Sequence, residues 1–265
     1  MSALPQNVPQ DRRRPITLAE YEKINPVCKL SLRGGTLRYV TPNTQTAWRA
    51  NSLLTKEPCT IEWLDSLGPD DVLFDVGANV GMYTVYAAAL RGCRVHAFEP
   101  ESQNFALLCR NIVVNGLTER VTAWPVALSD AARLDRLHVS EFNVGGSCHS
   151  FGEAVDFRLR PARFPLTQGC VATTIDAVVA AGVAPAPTHV KLDVDGFEHR
   201  VVAGAAASMP GIRSWIIETN PALAEHRAMV DALAAAGFGV DPAQVARATR
   251  ADGPFQGVAE HVFRR

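Results

Sequence analysis

Short apolar runs alternate with amphipathic helical patterns along residues 72–236, and this alternation constrains the fold more than any other feature. It predicts strands at 72–76, 94–98, 121–128, 189–194 and 214–218, with helices at 81–91, 101–115, 174–181, 197–207 and 221–236. Such alternation is typical of an α/β protein whose mostly parallel sheet has helices on both faces. The run at 261–264 is expected to close the sheet as an edge strand.

The stretch at 133–169 interrupts this rhythm with extended segments and turns, which indicates a β-rich insertion over the active site. Upstream, the pattern predicts a hairpin of 29–32 with 36–40 and a helix at 60–66. We therefore expect an N-terminal extension over 1–40, partly disordered and with a polar tail at 1–14. A single domain is expected over 41–265.

Charge and cysteine usage exclude several classes of protein. The 26 basic and 27 acidic residues give a net charge of −1, which disfavours general nucleic-acid binding. The longest apolar run, 85–90, is far shorter than a membrane span, and the first residues lack the apolar stretch of a signal peptide. Six scattered cysteines without a C-x-x-C pair favour a reducing, cytoplasmic location. The oligomeric state stays open.

The most informative stretch is 72–84, where an apolar strand runs into a glycine-bearing turn and then a helix. Gly77 and Gly81 are expected to let the backbone approach a ligand, and the helix start presents free N–H groups. A dinucleotide pyrophosphate usually meets G-x-G-x-x-G, whereas this chain has Asp75 two residues before Gly77. A carboxylate there favours a ligand with a cationic amino-acid moiety over an anion.

Glu99 ends the second predicted strand, and Pro100 stops that strand because it has no backbone N–H to donate. An acid at this position is placed to accept hydrogen bonds from a ribose diol. The alternative is an acid that interacts with a helix N-terminus. Together, Asp75 and Glu99 predict a ribonucleoside with a positively charged tail.

That ligand description fits S-adenosylmethionine, and several blocks in order resemble the FkbM family of methyltransferases. The resemblance covers roughly residues 41–220. The blocks are KEPCTIEW at 56–63, FDVGANVG at 74–81, FEP at 98–100, residues 111–115, VALSD at 126–130 and VKLDVDGFE at 190–198.

The resemblance implies a class I Rossmann-like methyltransferase with a seven-stranded sheet whose last strand is antiparallel to its neighbours. It further implies S-adenosylmethionine as cofactor and O-methylation of a small-molecule hydroxyl acceptor, such as a secondary metabolite or a sugar. The short apolar runs of the sequence predict no membrane partner.

The resemblance also assigns cofactor contacts. It places the methionine part against Asp75, Gly77, Ala78 and Asn79, near Gly81, and the ribose on Glu99. Residues bordering the adenine would be Pro100, Val126, Ala127 and, through its carboxylate, Asp130. For Asp130, an Asx turn after the strand is an equal alternative. Lys56 and Glu57 match the family block and are expected to cap the cofactor pocket, unless Glu57 only starts the following helix.

A lysine and two carboxylates share one face of the predicted strand at 189–194, because alternate residues of a strand point the same way. Lys191 is expected to form a structural ion pair with one carboxylate. Methyl transfer to a hydroxyl benefits from a base, and Asp193 and Asp195 are the leading candidates. Asp195 and Glu198 are also placed to face the substrate.

His149 and His199 are weaker candidates for the base or for substrate contact, since a lone histidine is more often a satisfied side chain. A divalent metal on Asp193, Asp195 and Glu218 is a further hypothesis, because Mg²⁺ prefers oxygen ligands. The spacing alone does not establish it.

The segment NVGGS at 143–147 carries two interpretations of equal weight. Asn143 and Ser147 would contact substrate, because a comparable segment accompanies the active site in FkbM-like sequences. Otherwise the segment is an ordinary hairpin turn.

Two functions from other classes compete with a methyltransferase. The first is a nicotinamide-dependent oxidoreductase on a similar sheet, which the missing G-x-G-x-x-G and the acid before Gly77 disfavour. The second is a non-catalytic cofactor-binding module, which the presence of Asp75, Glu99 and Asp193 disfavours.

Overall fold

The computed structural model describes residues 15–265, so the predicted polar tail at 1–14 lies outside the described residues. The α-helices of the described part are α1 (Leu18–Lys23), α2 (Thr44–Asn51), α3 (Pro58–Asp65), α4 (Met82–Tyr86), α5 (Ser102–Val114), α6 (Ile175–Ala180), α7 (Glu198–Ala203), α8 (Ala224–Ala235) and α9 (Pro242–Ala248). Its strands are β1 (Val27–Leu32), β2 (Gly35–Val40), β3 (Val72–Val76), β4 (Arg94–Phe98), β5 (Val121–Trp124), β6 (Ala127–Leu128), β7 (Arg133–Val139), β8 (Ser150–Phe151), β9 (Leu166–Thr173), β10 (His189–Leu192), β11 (Ser214–Thr219), β12 (Gly239–Val240) and β13 (Ala259–Arg264).

Seven strands form the central sheet in the order β12-β13-β11-β10-β3-β4-β5. Pairing is parallel from β11 to β5, and β13 runs antiparallel to both β11 and β12. The predicted seven-stranded, mostly parallel α/β sheet is confirmed. The prediction that 261–264 forms the edge is wrong, because the two-residue strand β12 pairs outside β13.

Helices cover both faces of this sheet and bury two separate apolar cores. Alternate strand residues point to opposite faces, so Leu73 packs into one core and Phe74 into the other. Helices α3, α4 and α5 cover the first face, and α6, α7 and α8 cover the second. This layering leaves the carboxyl ends of the parallel strands as the place where loops can build a site.

The single strand predicted at 121–128 is wrong, since the structure has two strands there. β5 ends at Trp124, and Pro125 follows, which has no N–H to continue the ladder. β6 then pairs with β9 in a separate four-stranded sheet, ordered β6-β9-β7-β8. This second sheet contains the β-rich insertion. The predicted helix at 81–91 begins at Met82 and continues as a π-helical segment, Ala87–Arg91.

The predicted hairpin is present as β1 and β2, which pair antiparallel. Its side chains Leu37 and Tyr39 are fully buried in the same core as α3 to α5. A domain boundary at residue 40 stays a prediction, but the hairpin packs as part of the main body. Across residues 15–265, none of the helices combines the length and the apolar character needed to span a bilayer.

Candidate active site

A cavity of about 480 Å³ opens at the carboxyl ends of β3, β4 and β10. Ligand sites in α/β sheets of this kind lie at this edge. The polar side chains on its wall are Gln45, Arg49, Lys56, Asn79, Glu99, Ser129, Ser147, His149, Asp193, Asp195, Arg200, Glu218 and Arg250. A second cavity of about 40 Å³ shares Arg49, Lys56, Gly77, Asn79 and Asp193 with it, and adds Ala78 and Lys191.

The turn after β3 carries Gly77 to Asn79 along both cavities. Gly77 has a φ of 76°, and a Cβ built there would lie 1.9 Å from the carbonyl oxygen of Asp193. A Cβ on Gly81, at φ 82°, would lie 2.4 Å from Leu108 Cδ1. Packing within the protein and positive φ therefore require glycine at both positions. Gly77 also lies on the wall of both cavities, so close approach of its backbone to a ligand stays a prediction. Gly81 lines neither cavity and instead caps α4.

Asp75 does not reach either cavity, although the sequence places it among the cofactor contacts. Its side chain is 1% exposed, accepts a hydrogen bond from Thr84 Oγ1 at 2.5 Å and lies 3.7 Å from Lys191 Nζ. Burial raises the pKa of Asp75 despite these two partners. The structure makes Asp75 a buried support for Lys191, so its expected contact with the methionine part is wrong.

Glu99 lies at the end of β4 on the wall of the larger cavity, where it is 5% exposed. Its Oε2 accepts from the Asn79 backbone N–H and its Oε1 accepts from the Glu101 N–H, both at 2.8 Å. Burial raises the pKa of Glu99 to about 7, although both N–H bonds favour its ionised form. Each oxygen retains a lone pair for a ligand hydroxyl.

Apolar and small residues continue the wall beside Glu99. The cavity borders include the predicted Pro100, Val126 and Ala127 and, in addition, Phe98 and Leu128. Asp130 lies away from the cavity, since its half-exposed carboxylate pairs with Arg133 at 3.0 Å. The structure contradicts adenine contact for Asp130, because its carboxylate is exposed and paired with Arg133; Ser129 lines the wall instead.

Asp193 and Asp195 both line the cavity, and their surroundings move their pKa values apart. Burial works against the ionised form of Asp193, but Lys191, Lys56 and Arg250 outweigh it and lower the pKa. Lys191 Nζ lies 3.6 Å from Asp193 Oδ2. For Asp195, burial together with the charges of Asp193 and Glu198 raises the pKa to about 7. Carboxylates separated in this way are suited to different roles.

The backbone at Asp195 is left-handed, with a φ of 56°, and the same holds for Cys148, at 60°. The two residues meet, because the Cys148 N–H donates to Asp195 Oδ2 at 2.8 Å. Non-glycine residues in this region carry strain that surrounding contacts must hold, and they concentrate at functional sites. Here Asp195 is held by the insertion loop and exposed to the cavity.

Glu198, predicted to face substrate, is fully buried and lines neither cavity. Its oxygens accept from the N–H groups of Val194 at 2.8 Å and Gly196 at 3.0 Å, and it pairs with His226 at 3.1 Å. The structure contradicts substrate contact, since these bonds hold the turn that carries Asp195.

Glu218 lines the cavity and pairs with Arg250 at 2.7 Å, while Arg250 also pairs with Glu260 at 2.6 Å. Burial, followed by the charge of Asp193, raises the pKa of Glu218 well above its usual value. Among residues 15–265, no group of three or more His, Cys, Asp or Glu side chains has the geometry to hold a metal. A metal on Asp193, Asp195 and Glu218 therefore lacks a geometric basis in the described residues.

Hydrogen bonds to its carbonyl groups hold the loop at 143–149 against the cavity. Asn79 Nδ2 and Asn104 Nδ2 both donate to the Gly146 carbonyl, at 2.6 and 3.1 Å. Asn143 faces away from the cavity and accepts from Asn43 Nδ2 at 2.8 Å, whereas Ser147 lines the wall. The segment is thus a wall of the site, and the expected substrate contact of Asn143 is wrong because its amide holds α2.

The two candidate histidines differ in position. His149 lines the cavity, and its Nδ1 accepts from the Ser140 N–H at 3.2 Å. Burial lowers its pKa, so the ring is neutral and carries its proton on Nε2, which has no partner among the described residues. His149 is thus oriented as a donor rather than a base. His199 lies outside both cavities, against Phe197.

Lys56 lines both cavities and pairs with the adjacent Glu57, which is 3% exposed. Glu57 also accepts from Tyr83 Oη at 2.9 Å. Glu57 lies behind the cavity wall, so it positions Lys56 and does not itself line the site.

Two segments outside the predicted motifs also build the cavity. Gln45, Trp48 and Arg49 come from one face of α2, at i, i+3 and i+4. Arg250 and Phe255 come from the loop before β13, where Phe255 stacks on Phe157 with ring centroids 4.3 Å apart. The spacing in α2 could have indicated that these three residues share one face. Nothing in the local sequence indicates that Arg250 lines the cavity.

Comparisons with known proteins identify the family. The Methyltransferase FkbM domain matches residues 75–240. The 31-O-demethyl-FK506 methyltransferase FkbM of Streptomyces tacrolimicus is 34% identical over an alignment of 181 residues, and the match covers 58% of this chain and 67% of that protein. The hexuronic acid methyltransferase AglP of Haloferax volcanii is 24% identical over 187 residues, 71% of this chain and 72% of that protein.

A solved FkbM methyltransferase from Methylobacillus flagellatus overlays with a TM-score of 0.48 at 15% identity, covering 75% of this chain. This chain spans 44% of that longer protein. The matched domain takes up more than half of the chain and includes Gly77, Glu99 and Asp195. The oxidoreductase and the non-catalytic module are thereby set aside: the chain belongs to the FkbM methyltransferase family.

Proposed function

We propose that this methyltransferase uses S-adenosylmethionine to methylate a hydroxyl group of a small, oxygen-rich acceptor. One observation carries the proposal. A single cavity at the carboxyl edge of the sheet holds both a buried carboxylate suited to a ribose, Glu99, and a second carboxylate with a pKa of about 7, Asp195.

The residues around Glu99 fit the nucleoside half of such a cofactor. The Glu99 oxygens are fixed by two backbone N–H groups and keep lone pairs for the two ribose hydroxyls. Pro100, Val126 and Ala127 supply an apolar border for a flat base. On the other side, Asp193 keeps a negative charge near Gly77, where a positively charged amino group would be stabilised.

S-adenosylmethionine, when bound, supplies an electrophilic methyl group. The protein then has to align an acceptor hydroxyl with that group and take up its proton. Asp195 suits proton uptake, because its pKa of about 7 leaves a useful ionised fraction at neutral pH while keeping it basic. As the acceptor oxygen forms its bond to the methyl carbon, the carbon–sulfur bond would break with its electron pair left on sulfur, which gives S-adenosylhomocysteine, and the hydroxyl proton would pass to Asp195.

The acceptor side of the cavity is polar and partly aromatic, which suits a hydroxylated small molecule. Arg200, Arg250, Ser147 and the Nε2–H of His149 are donors there, and Phe255 offers an aromatic surface. The curated relatives carry 31-O-demethyl-FK506 and hexuronic acid in their names, so oxygen acceptors and sugars are the classes to test first.

Isothermal titration calorimetry with S-adenosylmethionine and S-adenosylhomocysteine tests the cofactor, with NADH as the negative control. We expect both sulfur ligands to bind and NADH not to bind. Absence of binding by folded protein, checked by circular dichroism, contradicts the proposal. Transfer of a labelled methyl group to a panel of hexuronic acids, neutral glycosides and hydroxylated macrocycles then tests the acceptor class. Label recovered only on carbon atoms, or only on the carboxylate of the hexuronic acids, would contradict methylation of a hydroxyl group.

A further inference from the structure

Arg49 lies where the two cavities join, beside the turn after β3. It lines the larger cavity and also the smaller one, together with Gly77, Asn79 and Asp193. Its helix, α2, precedes the segment matched by the family domain, residues 75–240.

Four cationic side chains line the larger cavity, and three of them are committed to carboxylates. Lys56 pairs with Glu57, Arg200 with Glu153, and Arg250 with Glu218 and Glu260. Arg49 differs, since no carboxylate of residues 15–265 lies within ion-pair distance of it. Its positive charge at the cavity is therefore available to a ligand.

One N–H of Arg49 is already in use, and this bond orients the rest of the group. Nε donates to the Gly145 carbonyl at 2.7 Å, which fixes the plane of the guanidinium against the insertion loop. The terminal NH₂ groups have no acceptor in the described part of the chain. A planar guanidinium with its donors free favours a carboxylate, which it can bind with two parallel hydrogen bonds.

Position indicates which carboxylate this is. Glu99 and the apolar border beside it take the nucleoside end of the proposed cofactor, so the remainder of that ligand extends toward Gly77 and Asn79. Asp193 offers a negative charge there, and Arg49 offers a positive one. One acid and one free arginine at the same end of a cavity match the two charges of an amino acid.

We propose that Arg49 forms a carboxylate-binding subsite for the amino-acid arm of S-adenosylmethionine. This inference rests on the proposed function. It adds a contact from α2 that the sequence motifs did not include, and it gives the loop at 145 the role of orienting a cofactor-binding side chain.

The test compares S-adenosylmethionine with its decarboxylated derivative, because the two ligands differ only in the carboxylate. Both are titrated calorimetrically into the full chain and into Arg49→Met, Gln45→Ala and Arg247→Met. Gln45 Nε2 also donates to the Gly145 carbonyl, at 3.2 Å, so its variant loosens the loop without removing the charge. Arg247 pairs with Glu62 on the surface of the protein and controls for the loss of one cation.

We expect Arg49→Met to lower the affinity for S-adenosylmethionine by about 10- to 100-fold. The affinity for the decarboxylated ligand should change by less than about threefold. Gln45 also lines the cavity, so Gln45→Ala should weaken both ligands by the same factor and keep the ratio of the two affinities at its wild-type value. Arg247→Met should change neither affinity. A general distortion of the pocket would weaken both ligands together and leave the ratio unchanged.

If Arg49→Met lowers the affinities for both ligands equally, or lowers neither, the proposed subsite is wrong while the proposed function stands. If Arg49 instead binds a carboxylate of the acceptor, neither cofactor affinity should change. If the folded wild-type protein binds neither ligand, the proposed function itself fails. The two failures are thus distinguishable from the wild-type titration alone.

Discussion

Buried polar side chains gather at both ends of the central sheet, but the two groups are built differently. At the amino end, Trp63 Nε1 donates to Ser214 Oγ at 2.8 Å, Ser214 lies 2.6 Å from His189 Nδ1, and His189 Nε2 lies 3.5 Å from Asp71. These types in this order resemble a hydrolytic Ser-His-Asp relay. All four residues are less than 10% exposed, and neither cavity reaches them.

At the carboxyl end, Glu99, Asp195 and Glu218 line a cavity, and burial raises the pKa of each. Each of these groups keeps a face toward the cavity, whereas the members of the amino-end group contact one another and face no cavity. A satisfied buried network stabilises a fold, and an unsatisfied one facing a cavity is available to a ligand. A Ser-His-Asp arrangement alone therefore does not identify a functional site.

The largest expected difference between the two ends is in turnover. Asp195→Asn keeps the shape of the side chain but removes the proposed base, so methyl transfer should fall about 10²- to 10⁴-fold. Affinity for S-adenosylhomocysteine should stay within about threefold of wild type. Initial rates with an acceptor found in the screen, and calorimetry, measure the two effects. Full turnover in Asp195→Asn would remove it as the base.

The second difference is in cofactor affinity. Glu99→Ala removes the proposed acceptor for the ribose and leaves the Asn79 and Glu101 N–H groups without their present partner. We expect S-adenosylhomocysteine binding to weaken by about 1–3 kcal/mol. Calorimetry measures the change, with Ser214→Ala at the amino end as the matched control. Unchanged affinity in Glu99→Ala contradicts the ribose role.

The third effect belongs to the amino end and concerns folding. Ser214→Ala leaves Trp63 Nε1 and His189 Nδ1 without their buried partner, and each lost hydrogen bond is worth about 1 kcal/mol. We expect the free energy of unfolding in urea to fall accordingly while cofactor affinity is unchanged. A loss of turnover without a loss of stability would make the amino end the functional one.

The smallest effect is a pH dependence of opposite sign at the two ends. Glu99 has a folded pKa of about 7 against 4.5 unfolded, so its contribution to stability falls as pH rises from about 4.5 to 7. Burial lowers the pKa of His189 to about 4 from 6.5, so its contribution falls as pH drops from about 6.5 to 4.

Urea unfolding from pH 4 to 8 on wild type, Glu99→Gln and His189→Gln separates these contributions. Each variant should lose the pH dependence of the free energy of unfolding that its own residue contributes. For one proton this slope cannot exceed about 1.4 kcal/mol per pH unit. The difference in free energy of unfolding between wild type and variant should change with pH in opposite directions for the two variants. A change in the same direction would contradict the contrast between the two ends.

Local sequence was sufficient for the elements and for much of the site. The strand, glycine turn and helix at 72–84 and the acid at the tip of β4 predicted where the cavity lies, because parallel strands end at one edge. Local pattern failed at 121–128, where Pro125 splits the predicted strand between two sheets. It also failed for Asp75 and Asp130, since the motif position of a side chain does not determine whether the chain turns it toward the cavity.

The sequence by itself determined the order of strands and helices, the family and the edge of the sheet that carries the site, because these depend on periodicity and on short motifs. Only the tertiary structure decided which acids stay charged. Asp193 and Asp195 are two residues apart, yet Lys191 and Lys56 lower one pKa while burial and neighbouring acids raise the other. Arg49 and Arg250 join the site from segments far away in sequence. Electrostatic energies depend on distance and burial in space, and no local pattern encodes either.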